Sequence, residues 1–319
     1  MKIFTTLALL FFSYVVTAQT KLDTVTTATN IILQTATGKI RGSLSVPLKG
    51  KKFPLVLIIA GSGPTDRNGN SIAGVNSNSY KILADSLLQY GIASVRYDKR
   101  SIAESKDAGT KEEDLRFTDM VNDAADWITF LRTDNRFNGI IVLGHSEGSL
   151  IGMVASEKAA ASKYISVAGS GIPAADIIKK QLSSQPQGIQ DLYVPRLDSL
   201  AAGKRLSNVP PAMYSLFRPS VQPYLIDWFQ YDPRVEIAKL KIPVLILNGT
   251  TDIQVSVADA NQLHEACKQS ELLIVEGMSH LLKDAPADRI KNIALYNTTP
   301  NEPIKTELVQ AVVKFIKGN

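Results

Sequence analysis

The chain has 319 residues, 45% of them apolar, 20% charged and 7% aromatic, with 20 glycines and 15 prolines. That profile excludes a disordered, collagen-like or coiled-coil protein. The net charge of +5 is spread along the sequence instead of gathered into a basic tract, so a nucleic-acid or other polyanionic partner has little support.

At the N-terminus, Met1-Lys2 precedes a mostly apolar run from Ile3 to Val16 and then Val16-Thr17-Ala18. This pattern predicts a secretory signal peptide over residues 1–18, cleaved after Ala18. The run is shorter than the roughly 18–20 residues that span a bilayer. The expected product starts at Gln19, is exported to the periplasm or secreted, and has no stable membrane anchor; an uncleaved anchor is the alternative. Cys267 is the only cysteine, which excludes an intrachain disulfide and a lipid-modified N-terminal cysteine.

Ile31–Ala36 and Lys39–Val46, separated by Thr37-Gly38, predict an N-terminal hairpin. Short β-branched runs follow at Leu55–Ala60, Ile92–Tyr97, Ile140–Gly144, Ile165–Ala168, Val244–Leu247 and Leu272–Val275. These are apolar on both faces, as parallel strands covered by helices above and below must be. Met120, Ala124, Ile128 and Leu131 repeat at helical spacing, as do Leu308, Ala311, Val312 and Phe315. The pattern predicts the α/β class: a mainly parallel sheet with an antiparallel entry and helices on both faces.

From about Ile172 to Val235 the alternation stops. This stretch is rich in proline and carries Tyr193, Tyr214, Phe217, Tyr224, Trp228, Phe229 and Tyr231. Bare loops of that length are rare in compact domains, so residues 172–235 are expected to be a helical cap inserted between two core parts, 19–171 and 236–319.

The strongest chemical signal is Gly144-His145-Ser146-Glu147-Gly148, directly after one predicted strand and before the helical run Leu150, Ile151, Val154. A serine forced into a sharp strand-to-helix turn needs small neighbours and is then held above the sheet, which makes Ser146 the candidate nucleophile. A serine hydroxyl needs a base, and there are three histidines. His145 lies inside the elbow and is expected to point elsewhere; His264 lies on a helical run. His280 follows the last predicted strand through a short loop and is the candidate base. Asp252, just past the strand before it, is the candidate acid that orients the imidazole, with Glu276 as the nearest substitute. The chain order Ser146, Asp252, His280 is the one expected of this class. Acyl transfer also needs N–H donors for the oxyanion. The N–H of Glu147 at the helix start offers one, and the loop Gly61–Asn70 offers the second at Ser62, or alternatively Gly63.

With these motifs the chain resembles the α/β-hydrolases, and within them the bacterial esterases of the serine aminopeptidase-like group. IAGSGPTDRNGN, RYDKR, LGHSEG, PVLILNGTTDIQV and GMSH match in order over nearly all of residues 19–319. The resemblance implies an α/β-hydrolase fold, a carboxylic ester hydrolase acting on small-molecule esters through a Ser146, Asp252, His280 triad, a small helical cap and no cofactor. Two departures stand out. Such proteins commonly continue D-K-R with G-x-G-x-S where this chain has Ser101-Ile102-Ala103-Glu104-Ser105, and their elbow more often ends in Gly-Gly than in Gly148-Ser149.

Other constellations carry less. Asp119, Asp123 and Asp126 share a helical face opposite the apolar stripe and are expected to be solvated, Glu112-Glu113-Asp114 reads as a charged loop, and neither a metal-ligand spacing nor a phosphate-loop lysine occurs. Two rivals to the esterase remain open at this level: a peptidase or amidase with the same triad, and a non-catalytic protein that keeps the fold to hold a ligand.

Overall fold

A computed structural model describes residues 28–318; the expected signal peptide lies outside the described residues. In chain order the elements are β1 (Thr29–Thr35), β2 (Gly38–Ser45), β3 (Phe53–Ile59), α1 (Ser79–Gln89), β4 (Ala93–Tyr97), α2 (Phe117–Arg132), β5 (Phe137–His145), α3 (Glu147–Lys158) and β6 (Lys163–Val167). Five helices follow before the next strand: α4 (Ala174–Leu182), α5 (Gln187–Ala201), α6 (Tyr214–Phe217), α7 (Gln222–Trp228) and α8 (Pro233–Lys239). The chain then returns through β7 (Val244–Gly249), α9 (Val257–Ala266), β8 (Glu271–Val275), α10 (Arg289–Ala294) and α11 (Thr306–Lys317).

The strands form one eight-stranded sheet in the order β1-β2-β4-β3-β5-β6-β7-β8. β1 and β2 pair antiparallel, as do β2 and β4, and the remaining neighbours are parallel. Alternation along β3 explains the two cores. Leu55, Leu57 and Ile59 face a layer that includes Phe117, Trp127 and Ile151 from α2 and α3, whereas Val56 and Ile58 face Leu83, Leu87, Leu308 and Val312 from α1 and α11. Each such fully buried side chain contributes about 1.5–3 kcal/mol of transfer free energy. A third cluster, with Leu197, Leu200, Phe217, Leu225 and Phe229, belongs to the helices between β6 and β7.

The chain leaves β3 for β4 on one side and reaches β5 on the other. The C-terminal ends of β3 and β5 therefore flank the point where strand order reverses, which is where open α/β sheets leave a crevice.

The expected solvated face of α2 is not found as such. Asp123 is buried, and both its oxygens are held by the Arg100 guanidinium, with Nε 2.8 Å from Oδ2. Asp119 instead caps α2 by accepting the Arg116 N–H at 2.8 Å, and Asp126 is exposed. The loop after β4 covers that side of α2, so the helix buries more of its surface than its own apolar stripe requires.

Candidate active site

Ser146 stands between β5 and α3 with φ 55° and ψ −123°. A non-glycine residue at positive φ costs of order 1–3 kcal/mol and persists only where its surroundings fix it. Here the fixing is visible: the Ser146 N–H donates to the Val167 carbonyl at 3.0 Å. Gly144 and Gly148 make the turn possible. A Cβ on Gly144 would lie 2.1 Å from the Gly148 carbonyl oxygen, and one on Gly148 would lie 2.4 Å from that of Ile59. The same sharp turn leaves the Ser146 side chain facing a cavity of about 790 Å³, lined also by Ser62, Gly63 and Glu147.

His280 follows β8 and Asp252 follows β7. The His280 Nδ1–H donates to Asp252 Oδ2 at 2.8 Å, and both side chains are buried. Asp252 Oδ1 accepts the N–H groups of Gln254 and Val255 at 2.8 and 2.9 Å, so the carboxylate is held on both oxygens. Glu276 is exposed and makes no such contact. No hydrogen bond joins the Ser146 hydroxyl to the His280 ring among the described residues. The His280 ring centroid lies 4.6 Å from that of His145, which places it beside the elbow.

His145 is part of the site's framework. Its Nε2–H donates to the His280 carbonyl at 2.9 Å, which leaves Nδ1 to accept from the Tyr80 hydroxyl at 2.8 Å. That hydroxyl accepts the Gly61 N–H at 3.1 Å. Burial drives the His145 pKa down from 6.5 to about 3, so the ring is neutral, as the donor-acceptor chain requires. His264 lies away from the elbow and contacts Ser270 at 2.8 Å.

The D-K-R stretch after β4 ties the surrounding loops together. Asp98 accepts the Arg67 N–H at 2.7 Å and the Glu104 N–H at 3.3 Å. Lys99 donates to the Gly61 carbonyl at 2.6 Å and to Glu147 Oε2 at 3.0 Å. Arg100 holds Asp123 and donates to Thr37 at 2.8 Å. The Gly61 loop is also braced internally, because Asp66 Oδ1 accepts the N–H groups of Asn68 and Asn70 at 2.8 and 2.9 Å.

Both sequence departures have a physical resolution. Ser101 and Ala103 occupy the positions of the common G-x-G and have φ 68° and 42°. The loop thus keeps a left-handed backbone without glycine. Ser149, where a second glycine is commoner, is buried, and its hydroxyl lies 2.8 Å from that of Tyr164 and 2.7 Å from that of Ser166.

The aromatic residues of the β6–β7 segment divide their work. Phe217 and Phe229 belong to its own core, Tyr231 packs against Phe117 with ring centroids 5.0 Å apart, and Tyr224 and Trp228 face the cavity. Glu112, in the stretch expected to be a charged loop, forms a 3₁₀ turn and is bound there by Arg218 and Ser220. Sequence reading missed Tyr80, Lys99 and Tyr224 as parts of the site. Their partners lie 19 to 77 residues away, and no local spacing announces such pairs.

A sequence profile of the family described as "Serine aminopeptidase, S33" matches residues 73–237. The chain is 27% identical over 259 residues to esterase EstD of Thermotoga maritima, a match that takes in 78% of this chain and 61% of that protein. It therefore spans less than two thirds of that relative's length. Among solved structures it is similar to Est1E from Butyrivibrio proteoclasticus with ferulic acid bound, with TM-score 0.59, 18% identity and coverage of 87% of this chain and 94% of that one. It is also similar to the Pyrococcus furiosus esterase PF2001, with TM-score 0.58, 16% identity and coverage of 91% and 90%. These structures share the fold.

Proposed function

The chain belongs to the serine aminopeptidase S33 family of α/β-hydrolases, and from that premise we propose that it is a serine carboxylesterase. In this reading the Ser146 hydroxyl attacks an ester carbonyl carbon while His280 Nε2 takes its proton. The imidazolium is stabilised by Asp252, and the N–H groups of Ser62 and Glu147 receive the oxyanion. Collapse of the tetrahedral intermediate breaks the bond to the alcohol oxygen, which His280 protonates. Water then attacks the acyl-enzyme with His280 as base and releases the acid and free Ser146. Rotation of the Ser146 side chain towards His280 completes the arrangement, since catalytic hydrogen bonds in unliganded sites tighten when substrate binds.

The observation that carries this reading is the strained Ser146 facing a cavity beside a His280–Asp252 pair already locked at 2.8 Å. Esters are favoured over peptides because both carboxylates lining the cavity are engaged. Glu112 is held by Arg218 and Ser220, and Glu147 by Lys99 and Tyr224. Neither is left to bind the ammonium group of a peptide N-terminus. Apolar lining from Ile102, Leu115, Met120, Leu150, Leu225 and Trp228 fits an acyl or aryl group, and the bound ferulic acid of Est1E is a molecule of that kind. In this reading the helices between β6 and β7 are the cap over the site. p-Nitrophenyl esters should be hydrolysed and aminoacyl-anilides left intact; faster cleavage of the anilides would reverse the assignment.

The proposal includes export. Protein recovered from its native cells should begin at Gln19 by N-terminal sequencing, and an intact Met1 would contradict this.

A further inference from the structure

Lys99 is buried, faces the cavity and has no role in the proton transfers above. Its ammonium donates to the Gly61 carbonyl at 2.6 Å and to Glu147 Oε2 at 3.0 Å. Those two partners lie on the two segments assigned to the oxyanion. The Gly61 carbonyl belongs to the same peptide unit as the Ser62 N–H, and Glu147 supplies the other N–H. In a trans peptide the C=O and N–H point in opposite directions. A cation on the carbonyl therefore aims the Ser62 N–H away from itself and polarises it. On the other side, Tyr224 donates to Glu147 Oε1 at 2.8 Å, so the carboxylate that receives Lys99 is itself fixed. The Gly61 N–H is held by Tyr80 at 3.1 Å, and both sides of Gly61 are thereby restrained.

Resting on the esterase reading, we propose that Lys99 is a positioning residue of the oxyanion hole. Its ammonium sets the plane of the Gly61–Ser62 peptide against the start of α3 and so fixes the spacing of the two N–H donors. Lys99 does not touch the reacting atoms. Its effect belongs to the transition state, because the oxyanion forms only there.

The test uses the full chain carrying Lys99→Met together with Glu147→Gln, which removes the ammonium without leaving a buried carboxylate unpaired. On p-nitrophenyl butyrate, kcat is expected to fall about 10²-fold, the scale of losing one oxyanion donor. KM should stay within about threefold and the melting temperature close to that of the wild type. If Lys99 only neutralises Glu147, the double variant turns over at nearly the wild-type kcat, and the proposal is overturned. Should the double variant not fold, the crystal structure of the wild-type phosphonate adduct decides. Lys99 Nζ must remain on the Gly61 carbonyl while the adduct oxygen meets the Ser62 and Glu147 N–H groups; an ammonium withdrawn from Gly61 contradicts the role. Loss of all ester turnover in the wild type would instead fail the esterase reading, a result separate from either outcome.

Discussion

The ring of His145 donates from Nε2 to the main-chain carbonyl of His280 across 2.9 Å. The residue beside the proposed nucleophile thus holds the backbone of the proposed base, and through Tyr80 the same neutral ring reaches Gly61. One buried imidazole connects the end of β5, the loop after β3 and the loop after β8.

That connection makes stability depend on acid pH. Burial holds the His145 pKa at about 3, against 6.5 ordinarily. Between those values the unfolded chain binds a proton at this position and the folded chain does not, so the unfolded state gains as pH falls. The contribution is complete above about 6.5 and is lost progressively towards about 3. Wild-type stability should fall with acid more steeply than that of His145→Gln, by up to about 1.4 kcal/mol per pH unit. Parallel pH profiles of chemical denaturation for the two proteins would contradict the assignment.

Asp252→Asn should preserve the fold and abolish most turnover. An asparagine oxygen can still accept the N–H groups of Gln254 and Val255, but its NH₂ then faces His280 Nδ1. The imidazole must present a lone pair there and carry its proton on Nε2, where it cannot receive the proton of Ser146. A fall of roughly 10³–10⁴-fold in kcat is expected, with an unchanged melting temperature. Steady-state kinetics on a p-nitrophenyl ester measures it, and a loss under tenfold would show that Asp252 does not set the tautomer.

Ser101→Gly and Ala103→Gly should each stabilise the protein. Both residues sit at positive φ, where an L side chain costs about 1–2 kcal/mol, while the added freedom of glycine in the unfolded chain returns roughly 0.5–1. A net gain of about 0.5–1 kcal/mol per site follows, measurable by urea denaturation. Destabilisation at both sites would mean that the side chains contribute contacts that outweigh the backbone strain.

Strands β3 to β7 are legible from residues because they are covered on both faces and so are apolar runs, whereas the β1–β2 hairpin is legible from the Thr37-Gly38 turn between two strand-like segments; all eight expected segments overlap β1–β8. The departures from that reading have physical causes. β8 is an edge strand, with Leu273 36% exposed, and its two-sided apolar run does not reflect full burial. Asp123 looks solvated on a helical projection of α2 alone, yet Arg100 reaches it from the loop after β4. Ser146, Asp252 and His280 could be singled out because each follows a strand end. Tyr80, Lys99 and Tyr224 could not, since buried polar pairs between distant segments leave no periodicity. Ser101 and Ala103 adopt a glycine-like backbone that their side chains conceal.

Ser146 as the nucleophile is tested most directly by active-site labelling of the folded protein with a fluorophosphonate, read by intact mass and peptide mapping, beside the ester turnover of wild type and Ser146→Ala. Folded wild type should carry one adduct per chain, on Ser146, and Ser146→Ala should show no turnover above background with its fold intact. An unlabelled Ser146 in a protein that hydrolyses esters, or a Ser146→Ala variant that still turns them over, would contradict that role.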